Sequence, residues 1–147
     1  MSPAFYGLHG ASYSVFEPGG TASTGLERLA EDGDPTELVS EALDDDVQAD
    51  AAGDAPVPPG DSLEFTVTPT DDDPLLSFAT MIVESNDVVI ATPPGGIALL
   101  DDDGSPRSAS SVQTELRRRV AIWDAGTEAN EVPGVGPNQP QRQSAPD

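Results

Sequence analysis

The sequence has no cysteine, no lysine and one histidine, and it contains 6 arginines but 27 aspartates and glutamates. The absence of cysteine excludes disulfides, thiolate zinc sites and iron–sulfur clusters. So few cations provide no basic face for phosphate groups, so we expect no nucleic-acid partner. No apolar run approaches the ~20 residues of a membrane span, so we expect no membrane insertion.

Enzymatic motifs are also scarce. A histidine-based zinc cluster needs more than His9, and no serine lies among the glycines of a nucleophile elbow. The sequence permits a catalytic Ser–His–acid arrangement. However, His9 falls inside a strand pattern, where a hydrogen-bonded structural role is the simpler interpretation. The paired glycines at 19–20 and 95–96 lack the spacing and the lysine of a phosphate loop. Glycoside hydrolysis by two carboxylates is a further alternative, but the chain has only 1 Trp, 2 Tyr and 4 Phe. We therefore expect a non-enzymatic protein.

The acidity has a physical explanation in high salt. The formal net charge is -21, and 36% of the residues are hydrophobic. Low hydrophobicity with high charge is typical of disorder. Yet several segments carry regular strand and helix patterns, and in ~1 M salt a screening length of ~3 Å removes most of the self-repulsion. We therefore expect a folded halophilic protein, the alternative being an acidic mesophilic protein with disordered insertions.

Apolar runs and alternation predict short strands separated by turns. The predicted strands cover residues 2–9, 13–16, 63–67, 75–83, 88–91, 97–100 and 112–123. Two short helices are predicted after residue 23. The first begins with a capping box of Thr24 and Glu27 and ends at Gly33. The second begins at Pro35, within the start signal of residues 34–37.

The remaining segments have little to bury. Residues 44–61 are acidic and rich in Ala, Pro and Gly, which predicts a flexible surface insertion. Residues 133–147 form a Pro/Gln-rich tail that we expect to be disordered. The predicted architecture is one domain over residues 1–132. Its fold class is mainly β, an antiparallel β-sandwich with two short helices.

Carboxylates are the remaining candidates for chemistry, and they suit hard cations such as Ca²⁺. Acid pairs four residues apart occur about as often as chance predicts, so spacing alone is uninformative. Context favours Asp124 and Glu128, which follow a strand-like segment and flank Gly126, a residue that permits a tight turn. Asp87 leaves the predicted core strand in a similar way. The aspartate triplets at 44–46, 71–73 and 101–103 lie in turns and are better interpreted as solvated surface.

Several stretches resemble the spondin N-terminal domain of F-spondin and mindin, in a haloarchaeal-type form. They are SPAFYGLHG at 2–10, FEPGGTASTGLERLAEDGDPTELV at 16–39, PG at 59–60, LSFATMIVESNDVVIA at 76–91 and WDAGTEANEVPGVGP at 123–137. The resemblance implies a C2-like β-sandwich with a Ca²⁺ ion held by three acidic side chains at one end. Carried over to this chain, the ligands are Asp87, Asp124 and Glu128. Animal members have an aspartate at the last position, and backbone carbonyls and water would complete the shell.

The chain departs from this family at its start. Family members carry a further strand before the SPAFYGLH stretch, and we expect the fold to lack it here, together with any signal peptide. An extracellular or cell-surface location therefore follows from the resemblance alone. The expected function is a calcium-binding module for adhesion or recognition, with a protein or cell-surface ligand as partner. The alternative is a structural or cell-surface halophilic protein without a specific metal site. The oligomeric state stays open.

Three further interpretations concern Trp123, Asn86 and the arginines at 117–119. Trp123 is expected to anchor the core, and Asn86 to shape its loop, with a carbonyl oxygen available to an ion. The basic cluster at 117–119 is expected to pair with neighbouring acids.

Overall fold

A computed structural model describes residues 1–137 and shows one antiparallel sheet with three short helices. The strands and helices occur in the order β1 (Ala4–His9), α1 (Thr24–Asp32), α2 (Thr36–Asp44), β2 (Gln48–Ala52), β3 (Leu75–Met81), β4 (Val88–Ala91), β5 (Ile97–Ala98), α3 (Ala109–Arg119) and β6 (Ala121–Asp124). The sheet order is β2-β1-β3-β4-β6, and β5 pairs with β3.

The core lies between the sheet and the helices α1 and α2. Phe5 pairs with Ala79 across β1 and β3, and Val89 of β4 pairs with Trp123 of β6. Side chains alternate across a strand, so these residues share one face of the sheet. That face contacts the apolar sides of the two helices in a buried cluster that includes Leu26, Leu29, Leu38 and Ala42. Non-directional burial of this cluster is the main stabilising term of the fold.

The two predicted helices are confirmed, with one change in the first cap. The side chain of Ser23, not Thr24, accepts from the Leu26 N–H at the start of α1. Glu41 of α2 adds a second cap, because its carboxylate accepts from the Gly25 N–H at 2.8 Å and from the Ser23 hydroxyl at 2.6 Å. At the other end, Gly33 ends α1 with φ 69°, as its position predicts.

The mainly β class is confirmed, whereas the sandwich is not. All strands found within residues 1–137 belong to a single sheet. A third helix, α3, occupies most of the predicted strand at 112–123, of which only β6 remains. Within residues 1–137, no helix combines the length and apolar character that a membrane span requires.

Two predicted strands are extended or turned segments without strand pairing. Residues 13–16 form a loop. Residues 63–67 alternate between partly buried and exposed, as predicted, but join no ladder. Their burial comes from side-chain packing, because Phe65 stacks on Tyr6 with ring centroids 4.2 Å apart. The alternating pattern therefore predicted correctly which side chains of this segment are partly buried, but it did not predict that the backbone lacks strand pairing.

The predicted flexible insertion at 44–61 contains a strand, which corrects that interpretation over β2. Small residues explain the difference. Val47 is buried, Ala49 packs against the core, and both lie close to Gly7 of β1. The chain therefore pairs at the sheet edge with little apolar area. Of the predicted tail at 133–147, residues 138–147 lie outside the described part, and the Gly134 N–H donates to the Glu84 carbonyl.

Candidate metal centre

The candidate site is built on the turn that joins β3 to β4. Ser85 closes this turn: its hydroxyl donates to the Ile82 carbonyl at 2.6 Å and accepts from the Val88 N–H at 3.1 Å. Ser85, Asn86 and Asp87 are all buried, with exposed fractions of 2%, 4% and 0%. Three consecutive buried polar residues in a turn need specific partners, because an unpaired buried polar group is costly.

The partners come from the segment after β6. Val88 pairs with Asp124 in the β4–β6 ladder, so residues 124–128 continue beside Asp87. The Ala125 N–H donates to the Asp87 carbonyl at 3.0 Å, which extends the ladder by one bond. The sheet register therefore brings the predicted ligands of the two turns to the same end of the sheet.

The Asp87 carboxylate joins the two turns through one of its oxygens. Oδ2 accepts from the Thr127 N–H at 2.7 Å, the Glu128 N–H at 3.0 Å and the Thr127 hydroxyl at 3.3 Å. Hydrogen bonds to an ionised acceptor are the stronger kind. Together they hold the 124–128 turn against the sheet.

The other oxygen of Asp87 is the unusual feature. Oδ1 is buried and has no hydrogen-bond partner among the described residues. A buried carboxylate oxygen left in this state costs about 1–3 kcal/mol or more. Such an atom calls for an explanation, and a role as a metal ligand is one.

Asp124 and Glu128 lie in different surroundings. Asp124 is exposed, and its Oδ1 accepts from the Gly126 N–H at 2.9 Å. Gly126 adopts φ 67°, which confirms the tight turn. Glu128 has only 2% of its surface exposed. In the part of the chain that the structure describes, however, no three His, Asp or Glu side chains are grouped so as to hold a metal ion.

The structure thus brings the Asp87 carboxylate to the backbone of 127 and 128 without gathering the three carboxylates into one cluster. The donor set suits a hard cation, because it consists of oxygens and one of them is buried without a partner. A Ca²⁺ ion at Asp87 Oδ1 would neutralise this buried carboxylate, and the carboxylates of Asp124 and Glu128 would have to draw together with it to share the ion. The assignment of these three residues as metal ligands stays a prediction.

Two residues that shape the site were not predicted. Thr127 supplies two donors to Asp87, and Glu131 donates its N–H to Asn86 Oδ1 at 3.2 Å. The Asp-x-Gly pattern at 124–126 is a signal for a turn that folds the next residues back. The turn could therefore have been extended to Thr127 from sequence. The contact of Asn86 with Glu131 joins distant segments and leaves no local pattern.

His9 has the structural surroundings that its strand position predicts. It is 1% exposed, with Nδ1 2.7 Å from the Gly10 carbonyl and Nε2 2.8 Å from the Ser77 hydroxyl. Because the carbonyl can only accept, Nδ1 carries the proton and Nε2 accepts from Ser77. Burial lowers the pKa of His9. Both ring nitrogens are therefore used within the core.

Comparison with known proteins does not place the chain in a family. No protein-family model matches it, and no curated protein matches it significantly.

Proposed function

We propose that this chain is a non-enzymatic, calcium-binding β module that serves extracellular adhesion or recognition in a halophile. The observation that carries the proposal is the Asp87 carboxylate, which is fully buried, fixed through Oδ2 and unpartnered at Oδ1. The resemblance to spondin N-terminal domains supports the same residue as a ligand and is the source of the adhesion role.

The physical argument is a balance of burial and charge. Burying a carboxylate is costly unless hydrogen bonds or an opposite charge offset the loss of water. Three donors do so at Oδ2, while Oδ1 has none. A divalent cation bound at Oδ1 would give this oxygen the partner that it lacks. Asp124 and Glu128 both belong to the tight turn that contacts the Asp87 carboxylate. Carbonyls and water would fill the six to eight positions that Ca²⁺ takes.

Calcium titration of the chelator-stripped protein tests the proposal. Isothermal titration in molar KCl is expected to give saturable binding, together with a rise in the melting temperature. Asp124→Asn should abolish both effects. This side chain is exposed, so the variant is expected to fold. The matched control is Asp102→Asn, an exposed acid in a distant turn. The absence of saturable binding, or an equal loss in both variants, would overturn the proposal.

The second candidate is a structural or cell-surface halophilic protein without a metal site. One observation favours it: Asp87 Oδ2 already ties the turn to the sheet through two backbone N–H groups, a structural role that needs no ion. This candidate predicts a melting temperature that does not depend on calcium. The same titration therefore separates the two.

A further inference from the structure

A cavity of about 140 Å³ lies between the loop that precedes α1 and the β4–β6 edge of the sheet. Its walls include the apolar side chains of Phe16, Leu26 and Val89 and the indole of Trp123, whose Nε1–H is buried without a hydrogen-bond partner within residues 1–137. The rings of Phe16 and Trp123 meet edge to face, with centroids 4.8 Å apart. An apolar cavity of ~150 Å³ holds a molecule as large as benzene. This one therefore accepts a stem of roughly five or six heavy atoms.

The mouth of the cavity is acidic. Among its lining residues, Glu17 and Asp124 carry negative charge and none carries positive charge. Both acids are exposed, as are Gly19 and Gly20, so the cavity opens to solvent on this side. The loop is closed by the Gly20 N–H, which donates to the Glu17 carbonyl at 2.8 Å, and Gly19 takes φ 79°. Glu17 thus belongs to a defined turn at the rim.

Apolar side chains in the walls and two carboxylates at the mouth favour a cation carried on an apolar stem. An anion would be repelled by the rim acids and by the net charge of -21. A neutral apolar group would be stabilised only by contact with the apolar walls. A cation on an apolar stem would be stabilised by these walls and by the two carboxylates, and aromatic ring faces attract cations in addition.

We propose that this cavity binds an alkylammonium group, of the class that a lysine side chain of a partner protein presents. The stem packs on Phe16 and Trp123, and the ammonium lies between Glu17 and Asp124. Because the chain contains no lysine, a second copy cannot supply a lysine side chain. The inference rests on the recognition role proposed above. Because Asp124 is also a proposed calcium ligand, calcium and the ammonium would compete for it, and amine binding is therefore tested in EDTA.

Fluorescence of Trp123, the only tryptophan, tests the proposal directly. The protein is titrated in EDTA with n-pentylamine, 1-pentanol and pentanoate, at the lowest KCl concentration that preserves the native far-UV spectrum. We expect saturation by the amine with a Kd at least ~10-fold below that of the alcohol, which corresponds to ~1.4 kcal/mol. We expect no saturation by pentanoate. Equal binding of amine and alcohol, or no saturation by the amine, would refute a cation site.

Variants localise the effect. Glu17→Gln is expected to raise the Kd of the amine several-fold and to leave that of the alcohol unchanged. Glu64→Gln, which removes the same charge at an exposed position, should change neither. Ala22→Leu adds volume to the cavity lining and should abolish binding of both. If Glu64→Gln raises the Kd of the amine as much as Glu17→Gln does, the effect comes from net charge alone, and the proposed position of the site is refuted.

One further variant separates this inference from the calcium proposal. Asp87→Asn removes the proposed metal ligand, and Asp87 does not line the cavity. We expect this variant, if native by far-UV circular dichroism, to lose calcium binding and to keep amine binding. Loss of amine binding in a native variant would refute the assignment of the amine to this cavity.

Discussion

Replacing Asp87 tests the link between the fold and the proposed metal. Asp87→Ala leaves the N–H groups of Thr127 and Glu128 without an acceptor, at about 1–3 kcal/mol for the buried Glu128 donor and less for the part-buried Thr127 donor. The lost hydroxyl contact adds to this cost and the removal of the unpartnered Oδ1 subtracts from it, so we expect the free energy of unfolding to fall by about 2–4 kcal/mol. Asp87→Asn keeps an acceptor oxygen but removes the charge, so in EDTA it should cost only about 1–2 kcal/mol.

Calcium should widen the difference between the wild type and Asp87→Asn. At a free Ca²⁺ concentration of about 100 times Kd, binding to the native state adds about 2.7 kcal/mol to the wild type. The amide variant should gain nothing, so the gap between the two proteins grows to about 4 kcal/mol. Guanidinium denaturation followed by the fluorescence of Trp123, with and without EDTA, measures both gaps. Equal gaps in the two conditions would refute the role of Asp87 as a ligand, and Asp102→Asn controls for lost charge.

Three other predictions concern the fold. Gly25→Ala should lower the free energy of unfolding by about 2 kcal/mol, because the new Cβ would lie 2.5 Å from Leu38 Cα, a clash that outweighs the helix propensity of alanine. Gly95→Ala, with nothing within 4 Å, is the denaturation control, and equal stability of the two variants would contradict this packing. Since burial lowers the pKa of His9, the unfolded chain takes up its proton first, so the wild type should lose stability relative to His9→Gln as the pH falls below about 6.5. A constant difference in unfolding free energy between pH 8 and 5 would show that His9 is not buried in its neutral form. Dialysis from molar to millimolar KCl should abolish the far-UV helix and strand signals, and an unchanged spectrum would argue against halophilic adaptation.

Sequence reasoning succeeded where one strong local signal decides the structure. The apolar run at 75–83 contains β3, and Gly33 ends α1 because a left-handed residue is needed there. It failed at β2, where pairing rests on small residues fitting against Gly7, a tertiary property. It also failed at α3, although Val112, Leu116 and the Glu115–Arg119 ion pair four residues apart form a helical pattern. The strand prediction for residues 112–123 relied too heavily on the apolar residues at the end of this stretch.

For the candidate site, the sequence led to the correct turns and left their interactions open. Asp87 and the 124–128 turn meet because β4 and β6 are neighbours, a pairing that no local pattern encodes. The role of Thr127 and the unpartnered oxygen of Asp87 depend on ångström-scale placement. The basic cluster was expected to pair with neighbouring acids, and within residues 1–137 only Arg119 of the three does so, with Glu115.

The position of β1 inside the sheet has a consequence for how the protein reaches its native state. The hydrogen bond from the Thr80 hydroxyl to the Ser2 carbonyl spans 78 residues, and β1 has ladder partners on both sides. Because β1 is synthesised before β3, it stays without this ladder partner until β3 has left the ribosome. Chain closure over such distances slows folding.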